Sequence, residues 1–313
     1  MRMDIRDTTR REKKKYEQRL AELGRFVDKG NEFLIAAVKT VQERTEGSPC
    51  FSHGTVLAMC RNLIERIDGI SILARAGSAQ NGYPILRTTF ETLLGLQFIL
   101  EGDTVNRALA YQVRHAHRAI AYATLMDPTT AEGQKLRDSV SNEEFRHVLA
   151  DTDVEAAREI AHWAPMLDSP EYQAVEANWQ VRTKGDRTRI VDWYSLFGGP
   201  AHFRALAEHL NQRVAWNILY TMWSDVTHGT DAFNHVGKAR EPGSANFRPA
   251  RNPEGIEKVC GFAVLFATQA SIAILGFYSR DVLPDFERRY RSTIAGELSS
   301  ALRGAAISAP WKG

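Results

Sequence analysis

Apolar positions recur every three to four residues along most of this chain, the period of helices buried on one face, and no stretch sustains the alternation of a half-buried strand. Leu20, Leu23, Phe26, Val27, Phe33, Leu34, Ala37, Val38 and Val41 form one stripe. They predict a first helix from Asp4 to about Arg44, preceded by a solvated charge run over Arg10–Arg19 and ended by Gly47-Ser48-Pro49. Val56, Cys60, Leu63, Ile64, Ile67 and Ile70 predict a second helix from about Thr55 to Ala76, with Gly77 as its stop. Asn81-Gly82 marks a turn, and Pro84 suits the first turn of a third helix, Tyr83–Glu101, where its missing N–H costs nothing.

The third helix departs from the pattern. It is apolar on nearly every side (Ile85, Leu86, Phe90, Leu93, Leu94, Leu96, Phe98, Ile99, Leu100), which predicts a buried helix. Yet it carries Arg87 and Glu91 one turn apart on one face. Buried charges are paired or chemically employed, because an unpaired one costs several kcal/mol. A fourth helix, Val105 to about Met126, starts after a cap at Gly102-Asp103-Thr104 and is rich in bases and aromatics. Its Arg107, Tyr111, His115 and Arg118 share a face. Residues 129–200 read as a polar helical insertion, with a capping box at Ser141-Asn-Glu-Glu144, a helix start at Ser169-Pro170 and irregular chain over Trp179–Pro200. A helix from Ala201, interrupted near Asn211, runs to His228 and stops at Gly229. A long loop, Thr230–Pro253, follows, holding the basic residues Lys238, Arg240, Arg248 and Arg251. An apolar helix over about Glu254–Arg280 and a last amphipathic helix from Pro284 to about Leu302 close the chain.

The expected fold is therefore all-α, a multi-helix bundle: residues 1–50 form a long N-terminal helix suited to pairing across a two-fold axis, and 51–313 the core with its insertion. Val259–Tyr278 has about 20 residues without a charge, enough to cross a bilayer, but Thr268, Gln269 and Ser271 at its middle favour a core helix over a span. Composition changes this little. Net charge is +2, and Cys50, Cys60 and Cys260 lack metal-ligand spacing, as fits a reducing cytoplasm. The basic N-terminus has no apolar run behind it, so no signal peptide is expected. There is no Gly-rich phosphate loop, no His-Glu-x-x-His and no Cys-x-x-Cys, so no metal and no cofactor is expected.

Chemistry is expected where polar types share a helix face. Tyr220, Ser224 and His228 lie four apart at a helix end. Ser with His suggests a nucleophile and its base, but the strained strand-to-helix turn of a hydrolase is missing, and a back-bonded serine and a helix-capping histidine explain the pair as well. Arg107 with Tyr111 suits phosphate or a nucleic-acid strand, and equally a solvated face. Arg204 and His209 have a spacing used by helical ribonucleases, but with so many arginines one such match is expected by chance.

Arg87-x3-Glu91, Arg107-x3-Tyr111 and Tyr220-x3-Ser224-x3-His228-Gly229 before a long loop together resemble a bacterial all-helical family, domain-of-unknown-function family 5677, over about Thr55–Arg280. The helical shape and terminal His are similar to those of the HEPN superfamily, which includes RNA-cutting toxins and phage-defence effectors. The resemblance implies that the three helices turn these groups toward one spot. Two functions then compete. One is a non-catalytic sensor or interaction module of prokaryotic defence or toxin type, with a homo-oligomeric or other protein partner and no membrane. The other is a metal-independent hydrolase of RNA or nucleotides. In the latter His228 is general acid/base, Arg87 and Glu91 join it in catalysis, and Arg107, Tyr111, Tyr220 and Ser224 hold substrate.

Overall fold

The computed structural model describes residues 5–48, 50–140, 149, 152–184, 191–229, 236–237, 246–247 and 251–303. The helices follow the apolar period: α1 Ile5–Thr45, α2 Phe51–Ala76, α3 Gly82–Glu101, α4 Thr104–Met126, α5 Ala131–Ser139, α6 Asp153–Leu167, α7 Gln173–Thr183, α8 Phe203–His209, α9 Arg213–Ala215, α10 Thr221–Thr227, α11 Ile256–Tyr278, α12 Leu283–Thr293 and α13 Ala295–Arg303. The protein is an all-α multi-helix bundle, and its one ladder among the described residues pairs Val236–Gly237 with Asn246–Phe247. The capping box expected at Ser141, and Lys238, Arg240 and Arg248, lie outside the described residues.

The chain divides into two compact units, the first comprising Met1–Pro49, Val56–Leu100 and Leu210–Gly313, the second Cys50–Thr55 and Glu101–His209. In the first, the α1 stripe is spent internally: Leu20, Leu23, Phe26, Val27, Leu34, Ala37 and Val41 are all buried. α1 lies along α11. Gly30 permits the approach, since a Cβ there would stand 2.9 Å from a Val264 methyl. The stripe that suggested pairing across a two-fold axis is therefore already covered. α11 is long and apolar enough to cross a membrane, and 67% of its most apolar window is buried. Phe90 of α3 stacks on Phe266 at 5.5 Å between centroids, which fixes α3 against the same helix.

Three expectations of detail are corrected. The last helix is two, broken at Ile294, whose buried side chain anchors the break without Gly or Pro. Trp179 lies in helix α7 and is buried, and Trp193–Gly198 forms a 3-10 turn, so these two parts of the stretch expected to be irregular are helical, while 185–190 lie outside the described residues. Glu91, expected buried, is 37% exposed, because the apolar surround of α3 is incomplete on that face. The second unit has its own core of Val175, Trp179, Trp193, Tyr194, Leu196 and Leu206, which explains its few large aliphatics: tryptophans replace them.

The cysteines give a direct check on burial. Burial pushes the Cys60 and Cys260 thiols up to about 12, whereas a hydrogen bond with the Ser52 hydroxyl holds Cys50 below its ordinary value. At pH 8 a thiol–disulfide reagent is expected to label one thiol promptly and the other two only in denaturant, because the thiolate is the reacting form. Prompt release of three equivalents would contradict the packing of α2 and α11.

Candidate functional site

Five of the seven residues singled out in the sequence meet within the first unit. Gly82-Tyr83-Pro84 starts α3, and the helical period then places Arg87 and Glu91 on one face, with Arg87 Nε donating to Glu91 Oε1 at 3.2 Å. Opposite stands a second helical run: Arg213–Ala215, a π-helical turn Trp216–Tyr220, and α10. Tyr220 closes the π turn, and Trp216 stacks on it at 5.5 Å. Trp223 is fully buried against Phe262 and Phe266 of α11, which orients its neighbour Ser224 toward Arg87. Gly229 ends the run at φ 68°, a left-handed conformation that disfavours side chains, and leaves His228 exposed at the helix end.

Arg87 is the centre. Its side chain is 14% exposed, and its guanidinium donates from Nη1 to Ser224 Oγ at 3.1 Å, from Nη1 to His228 Nε2 at 3.2 Å, and from Nη2 to the Tyr220 hydroxyl. Its Cζ also sits 4.3 Å from the Tyr220 ring centroid, a cation–π arrangement. Because arginine has no acceptor, His228 Nε2 must accept, which puts the ring proton of neutral His228 on Nδ1. Burial pushes the Tyr220 phenol up, the Glu91 charge adds to this, and Arg87 opposes it. The phenol therefore keeps its proton at neutral pH.

The geometry separates the chemical alternatives. Among the described residues no side-chain hydrogen bond joins Ser224 to His228, whose backbone N–H donates to the Ser224 carbonyl at 3.0 Å; both side chains instead accept from Arg87. A serine nucleophile needs the histidine lone pair on its own hydroxyl, and here that lone pair faces a guanidinium. Four of the five arginine N–H groups are engaged by the protein. What the arrangement does is tie α3 to the run ending in His228, with one carboxylate and one imidazole left at the surface.

Arg107 and Tyr111 belong to the second unit and have partners there. Arg107 Nη1 lies 3.4 Å from Glu101 Oε2, and Tyr111 packs edge-on to Trp193 at 5.4 Å. The α4 face expected to hold phosphate thus has aromatic packing at Tyr111 and at His115, which lies edge-on to Trp163 at 4.9 Å; on another face of α4 His117 stacks on Trp179 at 5.0 Å and bonds Glu176 at 2.7 Å. Sequence reasoning passed over His117 and Glu176, since only the fold brings α4 and α7 together. It also missed how charge is divided. The first unit has 28 Lys and Arg against 21 Asp and Glu, net +7, and the second 12 against 17, net −5. Among the described residues no group of three or more His, Cys, Asp or Glu is placed to hold a metal ion.

Comparison with known proteins bears on this cluster. The model of a family of unknown function, DUF5677, matches residues 53–244, more than half of the chain and every residue of the Arg87 cluster. No curated protein and no solved structure matches the chain.

Proposed function

The chain belongs to the DUF5677 family, whose function is unknown, and from that premise and the Arg87 geometry we propose that it is a non-catalytic helical sensor or interaction module. The observation that supports this is the engagement of Arg87: its donors are directed at Glu91, Tyr220, Ser224 and His228 rather than left toward a substrate. A guanidinium so engaged fixes two helices in register and transmits a displacement of one to the other. The exposed end of the run, His228 and Gly229, is where a partner would act on it. The setting we infer is a cytoplasmic one of prokaryotic defence or toxin type, with a protein partner or a second copy of the chain.

One observation favours a second reading. An exposed histidine held against an arginine at a helix end, in a unit of net charge +7, suits a metal-independent hydrolase of RNA or nucleotides. That reading would take His228 as acid/base and Arg87 as the phosphate contact, with HEPN-type RNA-cutting effectors as its analogy; an analogy of fold does not itself carry function. Incubating the purified chain and its His228→Ala variant with total RNA and with ribonucleotides decides between them. The first reading expects no turnover attributable to the protein. Turnover that His228→Ala abolishes while leaving the melting transition in place would replace it with the second.

A further inference from the structure

A second feature of the first unit lies outside the segment matched by the family and shares no residue with the Arg87 cluster. A half-open groove of about 660 Å³ runs between α1 and α13. That volume falls in the range of small-molecule sites, about 300–1,000 Å³. Its apolar floor is Leu23, Phe26 and Ala301, each almost fully buried. Its α1 wall carries Arg19, Arg25 and Lys29. Two of these cations are already matched. Arg19 bonds Glu22 and the buried Glu257, and Lys29 reaches across to Glu297 of α13 at 3.3 Å. Arg25 has no carboxylate partner among the described residues. On the opposite wall Gly296 faces open space: a Cβ built there would meet nothing within 4 Å.

We propose that this groove binds an anionic amphiphile, a molecule with one carboxylate, sulfonate or phosphate head held by Arg25 and an apolar body laid on Leu23, Phe26 and Ala301. Charge complementarity selects the head. Arg19 and Lys29 are matched by Glu22, Glu257 and Glu297, Arg25 has no carboxylate partner among the described residues, and the whole unit is positive. The floor selects the body, because Leu23, Phe26 and Ala301 offer an inorganic anion no hydrogen-bonding side chain. The head would also draw on Lys29 by competing with Glu297, so binding loosens an ion pair that spans the groove. Such a ligand is as consistent with a fatty acid as with a phosphate ester of comparable size.

The test uses the full chain and 8-anilinonaphthalene-1-sulfonate, an anionic amphiphile whose fluorescence rises on burial. Saturable enhancement is expected, at least tenfold weaker in Arg25→Glu and absent in Gly296→Trp, which fills the groove from a helical position. Both variants should melt within a few degrees of the parent, which separates loss of the site from loss of the fold. Decanoate and decyl phosphate should displace the probe and inorganic phosphate should not; the better of the two identifies the head. Unchanged probe binding in both folded variants would overturn the proposal. So would displacement by inorganic phosphate as effective as by decyl phosphate, or a loss of uncharged N-phenyl-1-naphthylamine binding in Arg25→Glu as large as that of the anionic probe. None of these readouts depends on the Arg87 cluster, so the groove and the proposed function fail separately.

Discussion

Arg87→Ala is expected to destabilise the chain by about 2–4 kcal/mol in urea unfolding, with Glu91→Gln costing no more than about 1 kcal/mol. The asymmetry follows from where each charge sits. Arg87 is 14% exposed and serves four acceptors, so its removal leaves the Tyr220 hydroxyl, Ser224 and His228 without their shared donor and Glu91 without its partner. Groups deprived of a partner in a part-buried setting lose their full desolvation cost, about 1–3 kcal/mol each where burial is complete. Glu91 is 37% exposed, so water replaces Arg87 for it, and the neutral amide of Gln still accepts from Nε. Arg87→Lys should restore little, because one ammonium cannot spread donors across Glu91, Tyr220, Ser224 and His228 at once. If Arg87→Ala instead unfolds within 1 kcal/mol of the parent, the cluster is not a strut. Its polar groups would then be held in place for a ligand, and the hydrolase reading would gain.

Which parts of this arrangement were legible in the sequence is itself informative. The stripe from Leu20 to Val41 and the apolar run of α11 carry periodicity, a local property, and both helices emerge within a residue or two of expectation. The interruption near Asn211 was legible too, and its φ of 57° shows the left-handed turn that stops α8. The four-residue spacing of Tyr220, Ser224 and His228 gave a shared face and, with Arg87-x3-Glu91, half of a cluster. Periodicity cannot say which face meets which. Arg107 and Tyr111 had the same kind of spacing, but they pair with Glu101 and Trp193 in the other unit. The π turn at Trp216–Tyr220 left no mark that composition could show, nor did the break at Ile294, which lacks Gly and Pro. The groove was invisible for a different reason: Arg19 ends a solvated charge run, and Arg25 and Lys29 carry no signal of their own until α13, more than 260 residues later, is laid beside them.

Trp223→Ala is expected to cost about 3–5 kcal/mol, the range for deleting a large buried aromatic. Trp223 is fully buried and contacts Phe262 and Phe266 edge-on, at 5.5 and 6.1 Å between centroids. Its indole N–H has no hydrogen-bond partner among the described residues, so part of the gain from burying the ring is already offset. Trp223→Phe removes that orphan donor while leaving a smaller void, and should cost only roughly 1–2 kcal/mol. The residue also bears on the polar cluster, since α10 has two tethers, the Trp223 ring in the core and the Ser224–Arg87 bond one residue on. Two tethers on one short helix do not act independently. Once Trp223→Ala has loosened α10, Arg87 has less to hold, so the double variant Arg87→Ala/Trp223→Ala should unfold at a cost smaller than the two single costs combined, by about 1 kcal/mol or more. Strict additivity would mean that the buried ring and the guanidinium stabilise separate elements, and the coupling of core packing to the His228 end, on which a sensing role depends, would be lost.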